Sequence, residues 1–153
     1  MVKIKIDLPD TFPFTTLIPV RITDVNYGGH VGNDSILSMI HEARAQFLAM
    51  DGFSEVNFGG AALILRDVVI QFKKELFYGD KLRVSVAVTH LTGAAFTLLY
   101  KMEKETNDQR FLAVTACTGM VCFDYSLKKI IPLPEAVNAK WQSRYSSSLP
   151  PAV

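Results

Sequence analysis

Residues 34–50 carry apolar side chains at the spacing of an α-helix. Ile36, Ile40, Ala43 and Phe47 recur at intervals of three and four, which places them on one helix face. Further apolar residues widen that face: Leu37, Met39, Leu48 and Met50. The pattern predicts a mostly enclosed helix, with Asn33 or Asp34 as its N-cap and Gly52 as its stop.

The hydrophobic period changes to two after a glycine-rich bend at Gly59-Gly60. In chain order the predicted elements are a strand at 12–24, the helix at 34–50, strands at 68–73, 82–89, 96–103 and 111–123, and a short helix at about 134–145. The segment 82–89 alternates most regularly and predicts a half-buried strand, and Pro19 suggests an edge in the first strand. This order predicts an α+β fold in which one curved antiparallel sheet wraps one long central helix.

The composition limits the classes of protein to which the chain can belong. Its 153 residues, 49% hydrophobic and 20% charged, suit one globular domain (1–153) with a frayed tail at 146–153. A net charge of +1 argues against a nucleic-acid binder, and no apolar run is long enough for a membrane span or forms a signal peptide. Cys117 and Cys122 should face opposite sides of a strand, which disfavours a disulfide and predicts core residues of a cytoplasmic protein.

The candidate chemistry concentrates at residues 24–33, between the first strand and the helix. This stretch reads DVNYGGHVGN, and it places Asp24, Asn26 and His30 among glycines. It leads directly into a helix N-terminus, where free backbone N–H groups favour developing negative charge, as in chemistry on a carbonyl group. No metal site is expected, because His41-Glu42 begins an HExxH motif but residue 45 is alanine.

The chain resembles the hotdog-fold acyl-CoA thioesterases of the 4-hydroxybenzoyl-CoA thioesterase type. The matching signature is the turn D-x-(D/N)-x-x-G-H-V-x-N, here Asp24 to Asn33, followed by a helix that carries Glu42-Ala43-Arg44. The segments FKKELFYGDKL and VCFDYSLKKIIPLP match as well, so the resemblance covers roughly 12–145. It implies the hotdog fold, hydrolysis of an acyl-CoA thioester without a separate cofactor, and a backbone oxyanion donor at Asn33.

Asn26 departs from the family pattern. In the best-known members this position is the catalytic carboxylate, whereas an amide cannot accept a proton at neutral pH and can only orient a water or a carbonyl. Some thioester-cleaving relatives also carry asparagine beside the histidine. His30 has the side chain that most often serves as a general base, or it is a structural residue of the turn. Asp24 could supply the missing carboxylate, or it could accept backbone N–H groups within the turn.

Four further candidates complete the expected substrate site, and Glu42 has two possible roles. Tyr27, Gly29, Lys73 and Lys74 are expected to bind substrate, the lysines through the phosphates of coenzyme A. Glu42 lies on a helix stripe with Ser35 and Ser38. It is either catalytic or part of a structural ion pair, for instance with Arg44 of another subunit.

Two other functions and one assembly state follow from the same residues. A non-hydrolytic acyl-CoA or acyl-carrier binding domain is the main alternative, and an enoyl hydratase or dehydratase is a third. An open edge strand predicts a C2 homodimer, or a tetramer or hexamer of such dimers, with the site at the interface.

Overall fold

A computed structural model describes residues 3–145. The strands are β1 (Phe14–Pro19), β2 (Ala62–Phe72), β3 (Lys81–Thr92), β4 (Ala95–Thr106), β5 (Gln109–Asp124) and β6 (Lys129–Ile130), and the helices are α1 (Asn33–Met50) and α2 (Glu135–Tyr145). The strands form one antiparallel sheet in the order β1-β3-β4-β5-β2, and β6 pairs with β5. The sheet is curved around α1, so the predicted α+β hotdog layout is confirmed. The tail predicted at 146–153 lies outside the described residues.

Helix α1 buries one face against the sheet and leaves the other face open. Its buried residues are Ile36, Met39, Ile40, Ala43, Arg44, Phe47 and Leu48. The prediction of a mostly enclosed helix was wrong, because His41, Glu42, Ala45 and Ala49 are exposed. The four residues predicted on the apolar face, Ile36, Ile40, Ala43 and Phe47, are all buried. Of the residues predicted to widen that face, Met50 is 40% exposed.

The predicted start of α1 was also wrong, whereas its end is confirmed. Gly32 is the N-cap, with φ −72° and ψ 154°, and Asn33 is the first helical residue. No side chain caps the helix. At the other end the helix stops at Met50, and Gly52 has a φ of +80°, a left-handed conformation that glycine adopts without strain.

The first strand ends earlier than predicted. β1 stops at Pro19 because the chain turns into a short 3-10 helix, Ile22–Asp24. The Asp24 carboxylate accepts the backbone N–H of Arg21 at 2.8 Å, which closes this turn. β1 does lie at one edge of the sheet, as Pro19 indicated.

β3 is buried on both faces rather than on one. Its inward residues contact α1, and Ser85, Ala87 and Thr89 on the outer face are also less than a tenth exposed. The chain before β1 explains part of this cover. The Phe12 ring lies 5.0 Å from the Lys101 ammonium, and Lys101 is the cross-strand neighbour of Ser85. Cys122 is buried as predicted, whereas Cys117 is only half-buried; both thiols are free.

Candidate active site

The polar turn after β1 is a small closed loop. An isolated β-bridge joins Val25 to Val31, and the backbone N–H of Asn26 donates to the carbonyl of His30 at 2.9 Å. The N–H of Gly29 donates to the carbonyl of Asn26 at 3.1 Å, and Gly29 adopts a φ of +82°, which favours glycine. These bonds hold Asn26 and His30 opposite each other at the base of the loop.

Gly28 is the point at which the two side chains meet. The Asn26 Oδ1 accepts the Gly28 N–H at 2.9 Å, an Asx turn. A Cβ atom added to Gly28 would lie 3.2 Å from Asn26 Oδ1 and 3.2 Å from His30 Nε2. The missing side chain therefore leaves room for the amide and the imidazole side by side. The amide oxygen of Asn26 is occupied, so its NH₂ group is the free end.

His30 Nδ1 lies 3.4 Å from the carbonyl oxygen of Val31. A proton on Nδ1 can donate weakly to this oxygen, and Nε2 is then the unprotonated nitrogen. In that tautomer Nε2 can accept a proton.

The N-terminus of α1 presents free donors beside this loop. The first backbone N–H groups, on Asn33, Asp34 and Ser35, have no hydrogen-bond partner among residues 3–145. Such groups carry the positive end of the helix dipole and bind developing negative charge. An exposed donor set of this kind is uncommon in a helix that begins next to a buried core.

One cavity collects four of the nine predicted site residues, namely His30, Asn33, Lys73 and Lys74. It has a volume of about 220 Å³ and is lined by His30, Val31, Asn33, Ile36, Phe72, Lys73, Lys74, Glu75, Leu76 and Val114. We call it the His30 cavity. Its apolar part comes from α1 and from the ends of β2 and β5. The sequence analysis missed Glu75, although it directly follows the two lysines at the end of a predicted strand.

Asp24 and Glu42 line a different cavity, the Asp24 cavity, between β1 and α1. Asp24 is 4% exposed, and the Arg21 guanidinium donates to its carboxylate at 3.2 and 3.3 Å. Glu42 is exposed and accepts from Gln46 Nε2 at 2.7 Å. The structure thus separates the predicted catalytic residues into two groups, and the two carboxylates are in the group without His30.

Asn26, Tyr27 and Gly29 belong to the loop that carries His30 and do not line the His30 cavity, whereas Lys73 and Lys74 do. Tyr27 stands at the tip of the loop with its side chain fully exposed. The Lys74 ammonium lies 4.5 Å from the centre of the Phe111 ring, a cation–π contact that fixes it beside the cavity. Lys73 is exposed, and its backbone N–H donates to Ala113 at 2.7 Å where β2 ends.

Arg44 pairs with Glu55 of the same chain, so it is not free for the intersubunit pair with Glu42 that the sequence suggested. Its guanidinium is buried and donates to the Glu55 carboxylate, which His41 also contacts at 2.9 Å. Burial on its own raises the pKa of Glu55, but the bonds and charges of Arg44 and then His41 outweigh it and hold the pKa below its ordinary value. This pair ties the loop after α1 to the helix.

Residues 3–145 contain no group of three or more His, Cys, Asp or Glu side chains that could hold a metal ion. No helix in the same range is long and apolar enough to cross a membrane.

Comparisons with known proteins indicate one family and one fold. The profile of the thioesterase-like superfamily matches residues 20–141. A 1,4-dihydroxy-2-naphthoyl-CoA hydrolase of Microcystis aeruginosa is 32% identical over 128 residues, 82% of this chain and 88% of that protein. A 1,4-dihydroxy-2-naphthoyl-CoA thioesterase structure from Synechocystis superposes with a TM-score of 0.73 at 29% identity, over 87% of this chain and 95% of that one. A thioesterase superfamily structure from Jannaschia, 18% identical, shares the fold with a TM-score of 0.79, over 90% of this chain and 86% of that one.

Proposed function

The chain belongs to the thioesterase-like superfamily and is an acyl-CoA thioesterase, and we propose that it performs this hydrolysis in the His30 cavity. The observation that carries the proposal is the composition of that cavity. It joins a histidine able to accept a proton to the uncapped N-terminus of α1, over an apolar floor. No separate cofactor enters the proposed reaction, because coenzyme A is part of the substrate.

We propose that the acyl group is aromatic. Curated relatives from four organisms bear the name 1,4-dihydroxy-2-naphthoyl-CoA hydrolase. The His30 cavity offers Phe72, Leu76 and Val114 as apolar contacts for a flat ring. At about 220 Å³ it is smaller than the roughly 300–1,000 Å³ of sites that enclose drug-sized ligands. It therefore suits the acyl end of the substrate and leaves the coenzyme outside.

In the proposed reaction a water molecule attacks the thioester carbonyl carbon. The carbonyl oxygen becomes negative in the transition state and lies against the backbone N–H of Asn33. One such donor is worth about 2.7–4 kcal/mol. The carbon–sulfur bond then breaks, the acid is released, and the thiolate of coenzyme A takes a proton. The helix dipole favours the charged state over the neutral substrate, which lowers the barrier.

His30 is the proposed proton acceptor, and Asn26 the residue that orients the water. Nε2 of His30 and Oδ1 of Asn26 each lie 3.2 Å from the position that a Gly28 Cβ would occupy, and the Asn26 NH₂ group forms no hydrogen bond among residues 3–145. The amide can donate to the water oxygen while the imidazole accepts one of its protons. Asp24 is paired with Arg21 in the other cavity, which favours a structural role for it.

Substitution of the two loop residues tests this assignment. His30→Ala and Asn26→Ala should each lower kcat at least tenfold, since loss of a general base typically costs about 10²–10⁴-fold. The assay is hydrolysis of a panel of aromatic and aliphatic acyl-CoA esters. Wild-type turnover near the rate without enzyme, over the whole panel, would exclude the hydrolase.

Glu42→Gln and Glu75→Gln distinguish the two cavities. Glu42 lines the Asp24 cavity, and its loss should change kcat less than twofold. Glu75 is the carboxylate that lines the His30 cavity, and its replacement should alter the pH profile of kcat/KM. A loss for Glu42→Gln as large as that for His30→Ala would move the proposed reaction to the Asp24 cavity.

A second candidate function is a non-hydrolytic acyl-CoA or acyl-carrier binding domain. The Asx turn favours it, because the Asn26 oxygen is committed to the Gly28 N–H. Asn26→Asp should create or strongly raise thioesterase activity if the domain has lost catalysis. If the wild type is active and Asn26→Asp lowers its rate, the binding-domain alternative fails.

We further propose a C2 homodimer joined through β2. This strand lies at the second edge of the sheet and has an exposed apolar face: Leu65 is 37%, Val68 37% and Phe72 53% exposed. Among residues 3–145 no strand pairs with the outer edge of this eleven-residue strand, and such an edge is a template for a second copy of the strand. Because Phe72 also lines the His30 cavity, the partner strand would lie next to the site. Light scattering at micromolar concentration should give a dimer or a multiple of it; a folded 17.0 kDa monomer would contradict the proposal.

A further inference from the structure

Lys73 lines two adjoining cavities. One is the His30 cavity, and the other is a groove of about 530 Å³ between the N-terminal segment and the end of β2. The groove is lined by Lys3, Ile4, Lys5, Ile6, Gln71 and Lys73, and we call it the N-terminal groove. A ligand that extends out of the His30 cavity past Lys73 therefore enters this groove directly.

Contacts with the sheet hold the N-terminal segment beside β2. Gln71 Nε2 donates to the carbonyl of Ile4, and Gln71 Oε1 accepts the Thr115 hydroxyl at 3.2 Å. Farther along, the Phe12 ring contacts the Lys101 ammonium. Gln71 and Lys73 are two residues apart, so they extend from the same side of the strand end. The segment thus forms one wall of the groove, and β2 forms the other.

The lining of the N-terminal groove is positive. Three of its six lining residues are lysines, and none is acidic. Lys5 contacts Asp7 at 2.7 Å, but both side chains are more than 70% exposed, so the pair is weak and screened by salt. Within residues 3–145, Lys3 and Lys73 form no ion pair.

A second polar groove of similar size lacks this property. It lies at the β4–β5 hairpin, has a volume of about 500 Å³ and contains Arg83, Arg110 and Glu105. Glu105 accepts from Arg83 at 2.5 Å and from Arg110 at 3.3 Å. Its lining has three cations, with Lys81 as the third, against two carboxylates, Glu105 and Asp108, whereas the N-terminal groove has three cations and no carboxylate, so the N-terminal groove is the better anion site of the two.

We propose that the N-terminal groove binds the phosphate groups of the coenzyme A part of the substrate, through Lys3, Lys5 and Lys73. This inference rests on the proposed function. The His30 cavity is large enough for the acyl end only, and the coenzyme that leaves it carries several phosphate charges. Lysine ammonium groups bind phosphate as point charges. The family profile begins at residue 20, so Lys3 and Lys5 lie outside the matched region and would be a feature of this chain.

The test compares two thioesters of the same aromatic acid, one of coenzyme A and one of N-acetylcysteamine, which has no phosphate. In the full chain, Lys3→Gln with Lys5→Gln should raise KM for the coenzyme A ester about tenfold, the equivalent of one charge-assisted hydrogen bond. Its kcat should not change, and neither constant should change for the N-acetylcysteamine ester. Asp7→Asn should lower KM for the coenzyme A ester, because Lys5 loses its competing partner.

The matched control is Lys128→Gln with Lys129→Gln, which removes the same charge from two exposed positions, the last turn residue before β6 and the first residue of β6. This pair should leave KM unchanged. An equal rise of KM for both esters would overturn the proposal, since it would mean that the segment only supports the fold of the site. An unchanged KM for the coenzyme A ester would overturn it as well.

Calorimetry with coenzyme A alone separates this proposal from the proposed function. If the wild type hydrolyses neither ester, the hydrolase has failed, but the groove can still be tested. Coenzyme A should then bind the wild type about tenfold more tightly than the Lys3→Gln, Lys5→Gln variant. Equal affinity for both proteins would exclude the groove.

Discussion

Helix α1 is followed at its C-terminal end by Asp51, whose carboxylate is fully buried. It accepts from Trp141 Nε1 at 2.9 Å and from the Tyr145 hydroxyl at 2.9 Å, and the Arg144 guanidinium contacts it as well. At its N-terminal end, the same helix starts from Gly32, which has no side chain to satisfy the first N–H groups. One end is saturated with partners from α2, and the other presents free donors to a cavity.

The contrast indicates that the C-terminal end of α1 contributes to stability, whereas its N-terminal end is available for function. A buried carboxylate with three donors anchors α2 against the core and cannot take part in chemistry without unfolding. Unsatisfied donors at the other end cost stability, but they are available to a transition state. A helix anchored at one end can tolerate an open end at the other. The predictions below test this contrast, starting with the largest expected effect.

Asp51→Ala should give the largest loss of stability. Its removal leaves the Trp141 N–H and the Tyr145 hydroxyl buried without a partner, and breaking such a buried network costs about 3–5 kcal/mol. Urea unfolding measures the free energy. Asp10→Ala, at an exposed position, is the control and should stay within about 0.5 kcal/mol of wild type. A loss below about 1 kcal/mol for Asp51→Ala would mean that α2 does not depend on this carboxylate.

Gly32→Ser would give the N-terminus of α1 a side chain that can cap its free backbone N–H groups. Gly32 has an extended backbone that any residue can adopt, but a Cβ there would lie 2.5 Å from Asp34 Oδ1, so the exposed Asp34 side chain must move aside. A serine hydroxyl at this position can then accept an N–H of the first turn. We expect stability to rise by a few tenths of a kcal/mol. We expect kcat to fall at least about tenfold, because the donors proposed for the oxyanion are then occupied or crowded.

Ala49→Ser, on the exposed face near the opposite end of α1, is the control for a serine that caps nothing. It should leave kcat unchanged. Full activity of Gly32→Ser together with a raised Tm would show that catalysis does not use the helix N-terminus.

Tyr145→Phe should change how the free energy of unfolding depends on pH, because Tyr145 belongs to the buried network around Asp51. Burial, and then the hydrogen bond and charge of Asp51, raise the pKa of Tyr145 above its ordinary value of 10.0. The folded state therefore keeps the tyrosine proton at a pH where the unfolded chain loses it. This contribution to stability is complete below pH 10 and declines as the pH rises further. In Tyr145→Phe that decline should disappear, with a loss of about 0.5–1.5 kcal/mol at neutral pH.

Cys122 should contribute a separate alkaline loss in both proteins. Burial raises its pKa from 9.0 to about 11, so stability should fall over that interval as the unfolded thiol ionises. Cys122→Ala identifies this part of the curve. If Tyr145→Phe and wild type lose stability in parallel above pH 10, the tyrosine proton is not linked to folding.

Gly28→Ala should have the smallest effect. Its Cβ would lie 3.2 Å from both Asn26 Oδ1 and His30 Nε2, so the two side chains must separate by a few tenths of an ångström. We expect kcat to fall a few-fold and Tm to change little, since Gly28 has no left-handed φ to lose. An unchanged kcat would indicate that the spacing of the amide and the imidazole is not critical.

Local patterns in the chain predicted most of the elements, but they missed β6, the 3-10 helix Ile22–Asp24 and the first half of β2. Helix α1 was predicted as 34–50 and found as Asn33–Met50, because apolar spacing depends only on neighbours within a few turns. The N-cap was missed because glycine gives no positive signal at that position, and Asn33 and Asp34 looked like better caps.

The sequence by itself thus determined the helix, the strands and the segment at 24–33 in which the candidate chemistry concentrates. Only the tertiary structure decided which polar groups meet. It placed His30 in one cavity with Lys73 and Lys74, and it placed Asp24 and Glu42 in another. It also brought Asp51 into hydrogen-bond contact with Trp141, 90 residues away in the chain. The physical reason is the distance along the chain over which each kind of interaction acts. Periodicity and turn chemistry depend on a few adjacent residues, whereas cavities and buried hydrogen bonds depend on how the whole sheet closes over the helix.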